Sequence, residues 1–467
     1  MDKKLRKRLV LRFVKLLHLL VTVTSFCLCW SLYYAAKLGL ENTMEYTVAG
    51  GILYLILVVL LGRIYGVYSV GSSRVSHLVY SQGLTTLIAA GIFYVVMTVV
   101  ALKFTNPLPL MGLFAVQMLW SMLWSFLANR LYYFVSPPRA TAIIYKNKND
   151  LRKLEEIKHF EQKFRVTKYI SESEDVETLL ESIRGAEVVF VTGLDVETRN
   201  IVAKDCIVNR VQCYIMPRVG DVLMAGADHM HTFSVPFMRI QRAQPNLEYL
   251  FVKRAFDIFA SLIAIILAGP FMLVTALAIK LYDRGPVLYK QVRLTKDYKE
   301  FNVLKFRSMR TDAEKDGVAR LASENDDRIT PVGKIIRKIR FDELPQLFNI
   351  LKGDMTIVGP RPERPEIAAQ YEKEIPSFGL RLQVKAGLTG YAQIYGRYNT
   401  EPYDKLKMDL IYINHMSVAE DLRLMFATVK ILFMPESTAG IEEGQTTASH
   451  KEKEALETVE QKTEELV

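Results

Sequence analysis

Four apolar stretches, at roughly 10–36, 47–67, 77–102 and 109–134, dominate the first third of the chain. Each is long enough to cross a hydrocarbon layer of ~30 Å as a helix. In lipid, only a structure that satisfies its own backbone polar groups can span, so the pattern predicts an α-helical membrane bundle over 1–139. The first stretch is too long for a cleavable signal peptide and lacks a small-residue cleavage site, so it reads as a span. The leader "MDKKLRKRLVLRF" is strongly basic, the loop after the second stretch holds Arg63 and Arg74, and Arg130 and Arg139 follow the fourth. The loops after the first and third stretches carry little positive charge. The positive-inside rule therefore puts both ends of the bundle in the cytoplasm.

Residues 140–248 have a different pattern. "TAIIY", "FRVTKYI", "EVVFVTG" and "VQCYIMP" read as short buried strands, separated by helical stretches such as "DLRKLEEIKHFEQK" and "DVETLLESIRG". Alternating strands and helices predict a parallel α/β sheet. A dinucleotide site would need a glycine-rich turn after the first strand, to let backbone approach a pyrophosphate. "AIIYKNKNDLRK" has no glycine, which predicts a Rossmann-like domain without its cofactor. His229 and His231 have no third ligand nearby in sequence and read as part of a polar loop.

A catalytic-sized region, 249–435, opens with "AFDIFASLIAIILAGPFMLVTALAIKLY". This run is long enough to span, yet both flanks are basic: Lys253 and Arg254 before it, Lys280 and Arg284 after it. A fifth crossing would export sixteen Lys and Arg between 280 and 340. Pro270 interrupts the middle, where proline removes a helix hydrogen bond. These features predict a re-entrant helix over 253–281 that bends near Pro270, against a true fifth span. "PVGKIIRKIRF" reads as a basic amphipathic helix lying on the membrane surface or on the domain's own core.

The stretch "RFDELPQLFNILKGDMTIVGPRP" concentrates the chemistry. Leu344, Leu347, Phe348 and Leu351 share one helical face, which predicts Asp342 at the N-cap, Glu343 at the first helical position and closure at Lys352-Gly353. The stiff Gly359-Pro360-Arg361-Pro362 loop presents a guanidinium, whose fork matches phosphate oxygens, and Arg364 follows. "VLKFRSMR" reads as a strand with Lys305 and Arg307 on one face, and Arg293 lies on the strand before it. An acid pair among cations beside a membrane-dipping helix suits a diphosphate at the bilayer surface. A carboxylate can attack phosphorus and split one transfer into two. Adjacent carboxylates can also hold Mg²⁺.

These motifs, with "GPVLYKQVR", "NDDRITPVGKIIRKIRF" and "KAGLTGYAQIYGR", resemble the bacterial sugar transferase family over about 250–435. These are polyprenyl-phosphate hexose-1-phosphate transferases with a monotopic catalytic core. The four spans and the glycine-poor domain resemble its large members, which start capsule and exopolysaccharide units. The resemblance implies a mixed α/β monotopic catalytic domain behind the membrane bundle and the Rossmann-like domain. It also implies transfer of hexose 1-phosphate, with glucose or galactose as the expected sugar, from a UDP-sugar to undecaprenyl phosphate, releasing UMP. By motif, Asp342 would be the nucleophile and Glu343 its dyad partner, both near Mg²⁺. Arg293, Lys305, Arg307, Arg361 and Arg364 would hold phosphates, and Pro270 would break the re-entrant helix. Many members have Ser-Pro at that break; here it is Gly269-Pro270. The implied location is the cytoplasmic (inner) membrane, with the catalytic domain on its cytoplasmic face.

Three rivals compete. A nucleotide-sugar dehydratase needs the missing glycine loop and a Y-x-x-x-K pair, which Tyr403 and Lys407 mimic superficially. An assembly or regulatory protein would show a broken acid pair or a lost G-P-R-P loop, and both are intact. An ordinary glycosyltransferase needs a D-x-D motif, which "NDDRIT" does not match. The formal charge of +10 suits phosphate or an anionic membrane, and no nucleic-acid reading module is visible. Cys27, Cys29, Cys206 and Cys213 lack zinc spacing, which predicts neither structural zinc nor a disulfide. The cofactor-free domain could serve as a homodimer interface. The tail, 436–467, has nine acids against three bases and no apolar period, so it is expected to be disordered.

Overall fold

A computed structural model describes residues 3–35, 43–71, 73–155, 160–172, 175–232, 235–311, 313, 328–396 and 400–432. The acidic tail and the residues 325–327 of "NDDRIT" lie outside these. The chain divides into two compact units, Met1–Pro217 and Arg218–Val467.

The first unit begins with α1 (Lys3–Trp30, continued by a π-helical turn to Ala35), α2 (Thr43–Tyr65), α3 (Val75–Ala101) and α4 (Leu108–Val135). All four are long and apolar enough to cross a membrane. Their outer faces are apolar, and the interior holds polar side chains among its aromatic and aliphatic ones. Leu20, Val99, Leu119 and Phe126 face outward, whereas Thr22, Gln82, Gln117, Ser121 and Ser125 are buried. Gln117 ties three helices together: it donates to the Thr22 carbonyl at 3.0 Å and accepts from the Tyr54 hydroxyl at 3.0 Å. Phe26 stacks on Tyr54 with ring centroids 4.0 Å apart and meets Phe93 edge-on. Lipid is as apolar as a leucine side chain, so close packing and interhelical hydrogen bonds have to hold such a bundle together.

The rest of this unit is an α/β sheet. It runs β1 (Arg139–Tyr145), α5 (Lys148–Glu155), α6 (Phe160–Lys163), β2 (Phe164–Ser171), α7 (Val176–Ser182), β3 (Val188–Thr192), α8 (Val196–Val208) and β4 (Gln212–Ile215). The strands are parallel in the order β2-β1-β3-β4. Side chains alternate between faces along a strand. Ala142, Ile144, Val189 and Val191 therefore enter one core with Leu179 and Val202, while Ile143 and Phe190 enter the other with Leu154 and Phe160. Burial on both faces explains why these strands read as continuous apolar runs.

The second unit comprises α9 (Val219–Ala225), β5 (Asp228–Thr232), β6 (Val235–Arg239), α10 (Leu247–Asp283), β7 (Leu288–Leu294), β8 (Glu300–Phe306), α11 (Pro331–Lys338), α12 (Gln346–Lys352), β9 (Thr356–Val358), α13 (Pro365–Glu374), β10 (Gly387–Thr389), α14 (Tyr391–Tyr395), α15 (Pro402–Asn414) and α16 (Val418–Leu432). His229 and His231 lie on β5, an exposed strand paired with β6, rather than in the expected polar loop. Strands β7 and β8 pair antiparallel, and β9 and β10 pair parallel. The main core joins Val303, Leu347, Ile350, Met355, Leu406 and Leu410.

Helix α10 runs unbroken for 37 residues with Pro270 inside it. One stripe meets the domain: Ala260, Ala264 and Ile265 pack on the main core, then Ala268, Met272, Ala276 and Ile279 on a second cluster with Phe306 and Ile336. The opposite face, including Phe259, Ile266, Phe271, Leu273 and Val274, is apolar and exposed. Helix α11 divides its apolar residues similarly: Ile336 is buried, while Ile335 and Ile339 are exposed.

Candidate active site

Arg340 adopts a left-handed conformation, φ 57°, and ends the segment that follows α11. The chain then makes a single 3₁₀ turn, Phe341–Glu343, before α12 starts at Gln346. The acids thus occupy a turn ahead of the helix, and Asp342 is not its N-cap. Pro345 stands at the cap position, and the left-handed Arg340 imposes a separate turn. The buried side of α12 is Gln346, Leu347, Asn349 and Ile350; of the expected stripe, Leu347 is buried and Leu344 packs on the core, whereas Phe348 is exposed. Gly353 closes the helix at φ +95°, as its sequence position predicts.

Asn349 cross-links this helix to β8. It accepts from the Leu304 backbone N–H at 2.9 Å and donates to the Asn302 carbonyl at 2.8 Å. That fixes Lys305 beside the acid turn, with Nζ 3.7 Å from Glu343 Oε1. From the other side, Arg361 Nη2 donates to the same oxygen at 3.1 Å. Arg340 Nη1 lies 4.0 Å from Glu343 Oε2. The loop that carries Arg361 follows β9 and is held against β10: Gly359 N–H donates to the Thr389 carbonyl at 2.8 Å and Gly387 N–H to the Pro360 carbonyl at 2.9 Å. A Cβ on Gly359 would sit 2.5 Å from the Lys385 carbonyl oxygen, so only glycine allows this approach.

The two acids end up in different electrostatic states. Burial pushes Glu343 up, but Arg361, Lys305 and Arg340 outweigh it and hold the carboxyl at about 2. Burial, together with the neighbouring Glu343 charge, raises Asp342 above its ordinary value, against the pull of Lys305, Arg337 and Arg361. Among the described residues, the ion pairs of Lys305, Arg340 and Arg361 close on Glu343 and none on Asp342. Burial also lowers the Lys305 ammonium.

The remaining expected phosphate ligands are placed differently. Arg293, on β7, donates to the Pro362 carbonyl at 3.1 Å and lies 3.9 Å from Glu363, so it braces the arginine loop. Arg364 occupies the position before α13 without a side-chain cap bond, and its Nε lies 3.6 Å from Glu366. Strand β8 ends at Phe306, so Lys305 and Arg307 do not share a strand face as expected. Arg307 is buried and ion-paired with Asp283 at the end of α10. Pro270 lies in α10.

In sequence, Arg337 and Arg340 stand out only as charges of a basic amphipathic stretch lying on the membrane or on the domain's own core, and nothing announces the cluster behind the arginine loop. There Arg381 lies 3.4 Å from Glu363 and 2.7 Å from Asp409, and it donates to the Arg361 carbonyl at 3.0 Å. A signal for Asp409 existed: it falls among Leu406, Leu410 and Ile413 on the buried face of α15. No pattern around Arg381 marks it. Among the described residues no group of three or more acids, histidines or cysteines could enclose a metal. Adjacent Asp342 and Glu343 still suit Mg²⁺, which takes one or two carboxylates and completes its shell with substrate phosphates and water.

Residues 248–435 match the model of a family described as "Bacterial sugar transferase". An Aeromonas hydrophila UDP-N-acetylgalactosamine-undecaprenyl-phosphate N-acetylgalactosaminephosphotransferase is 38% identical over 232 residues, 49% of this chain and 53% of that protein. The exopolysaccharide production protein PSS of Rhizobium leguminosarum bv. phaseoli is 45% identical over 189 residues, 38% of this chain and 94% of that protein. A UDP-glucose:undecaprenyl-phosphate glucose-1-phosphate transferase of Escherichia coli (strain K12) is 43% identical over 183 residues, 38% of this chain and 39% of that protein. The chain thus spans about half the length of the Aeromonas relative and less of the Escherichia one.

Proposed function

This chain belongs to the bacterial sugar transferase family, and from that premise we propose that it transfers hexose 1-phosphate from a UDP-sugar to undecaprenyl phosphate, releasing UMP, as the first membrane step of an exopolysaccharide or capsule. The sugar is glucose or galactose. The observation that carries this reading is the unequal acid pair: three cations close on Glu343, and Asp342 stands beside them outside those ion pairs. A carboxylate so placed can meet a phosphate that the same cations draw in.

In the first step an Asp342 oxygen attacks the β-phosphorus, the bridging P–O bond breaks, and UMP leaves with the electron pair. In the second step a phosphate oxygen of undecaprenyl phosphate attacks the same phosphorus and releases the Asp342 carboxylate. Arg361 is the natural clamp for the diphosphate, because its side chain is 40% exposed and its fork fits two oxygens. Lys305 and Arg293 add positive charge, and Glu343 keeps Lys305 and Arg361 aimed at the turn. Mg²⁺, when bound, would screen diphosphate charge next to Asp342 and Glu343.

Helix α10 is read as re-entrant, with the catalytic domain on the cytoplasmic face of the inner membrane. Support comes from the stripe that meets this domain from Ala260 to Ile279, since a crossing helix could not keep one soluble domain along its whole length. The four-stranded sheet is read as a Rossmann-like domain without a dinucleotide, and as a homodimer interface. The topology is tested by Tyr282→Cys in intact cells: protection from impermeant thiol reagents is expected, and ready labelling would mean a fifth span.

The reaction is tested by supplying the membrane-embedded enzyme with UDP-sugars, Mg²⁺ and undecaprenyl phosphate. Lipid-dependent UMP is expected with UDP-glucose or UDP-galactose. UMP only with an N-acetylhexosamine donor would correct the sugar, and UDP in place of UMP would overturn the covalent mechanism.

A further inference from the structure

The apolar helix α10 is bonded to both halves of the candidate site by three residues near its N-terminal end. Arg254 donates from Nη1 to the Ile350 carbonyl at 2.6 Å and from Nη2 to the Leu351 carbonyl at 2.7 Å. These are among the last carbonyls of α12, at the end where a cation is favoured; the Ile350 carbonyl also accepts from the Gly353 N–H at 3.0 Å. The opposite end of α12 leads back to the acid turn. Lys253 donates to the Val358 carbonyl at 3.0 Å, and Asp257 accepts from the Ile357 N–H at 3.1 Å. Both hold β9, which runs directly into the Arg361 loop.

We infer that Arg254 is a positioning residue: its fork on the end of α12, with Lys253 and Asp257 on β9, sets the acid turn against Arg361, so the lipid-facing helix fixes the geometry of the reacting groups. The inference rests on the transferase reading. Arg254 acts through α12, whose backbone carbonyls engage both of its terminal nitrogens. The bonds matter because α12 is short and the acids precede it on a single turn, so a shift at one end of the helix is carried to the other. Exposed apolar side chains flank these three residues on α10, Leu250 and Phe251 before them and Phe259 and Leu262 after them. Seating of α10 in lipid and spacing of the site are therefore mechanically coupled.

The test compares wild type, Arg254→Ala and Arg254→Lys in nanodiscs, with kcat and KM for UMP release measured per folded molecule and thermal stability measured alongside. Misplacement by about 1 Å can cost about a hundredfold in rate. A kcat lower by about that factor is expected for Arg254→Ala, with KM for the UDP-sugar changed by less than about threefold, because the phosphate-binding groups are intact. Arg254→Lys, which keeps the charge but cannot fork, should fall between. If Arg254→Ala does not fold, a reduced kcat in Arg254→Lys at near wild-type stability carries the same support. Wild-type kcat per folded molecule in either variant, or a change confined to KM, would overturn the inference. A wild-type enzyme that releases no UMP with any donor would instead defeat the transferase reading, and this inference with it.

Discussion

Two clusters of buried acids and arginines lie on either side of the Arg361 loop, and they use the same side chains to different ends. In front, Lys305, Arg340 and Arg361 converge on Glu343, with Arg337 near Asp342, so cations outnumber acids and one acid is left outside the ion pairs. Behind, Arg381 is 3% exposed and sits between Glu363 and Asp409, two acids to its one charge. Arg293 and Lys405 supply the balance at longer range. The front cluster is unsaturated and open at Arg361, which is how a site for an anion is built. The rear cluster is closed and its arginine reaches the Arg361 carbonyl, which makes it a brace. A buried pair is weak evidence for stability by itself, but breaking one strands an unpaired charge.

The comparison predicts which substitutions cost activity and which cost folding. Asp342→Asn should reduce UMP release by at least about a thousandfold, with expression and thermal stability near wild type. Residual activity near wild type would sink the covalent step. Arg381→Met should act the other way round, lowering stability by about 3–5 kcal/mol because Glu363 and Asp409 lose their partner, as read by thermal melting in detergent. If that variant melts like wild type and loses only activity, the brace reading fails. Arg361→Lys should lower kcat/KM for the UDP-sugar by about a hundredfold, since the charge survives and the fork does not, with little change in melting.

The smallest effect is in pH. Burial, with Glu363 near, pushes Asp409 up to about 6 although Arg381 pulls it down. The native state therefore holds that proton more tightly than the unfolded chain. Stability is greatest below the ordinary aspartate value of 3.8, falls as pH rises to about 6, and is level above it. Asp409→Asn should remove this decline from melting curves taken across that window. Glu343 has the opposite sign: at about 2 in the native state, its contribution is present above 4.5 and is lost as pH falls toward 2. Glu343→Gln should flatten the acid side only, and a variant that altered both windows would mean that the clusters titrate as one.

Much of the second unit was legible because its elements announce themselves locally. The strand at Arg293, the helix stop at Gly353 and the glycine that admits the Arg361 loop all follow from residue type and spacing. The acid turn was misjudged by a few residues, because helical periodicity from Leu344 onward does not reveal that Arg340 turns left-handed and that the helix waits until Gln346. Arg307 was grouped with Lys305 on alternation alone, yet β8 ends between them and a carboxylate at the end of α10 claims the arginine.

Sequence by itself determined the apolar helices, the parallel sheet and the identity of the acid pair and its basic neighbours, since hydrophobic period, glycine and proline act within a few residues. Tertiary structure alone decided which cation faces which acid. Arg361 meets Glu343 across 18 positions, Lys305 reaches it across the Asn349 cross-link, and Arg381 finds Asp409 across 28. Charge pairing depends on distances of a few ångströms through a low-dielectric interior, and no local pattern encodes those distances.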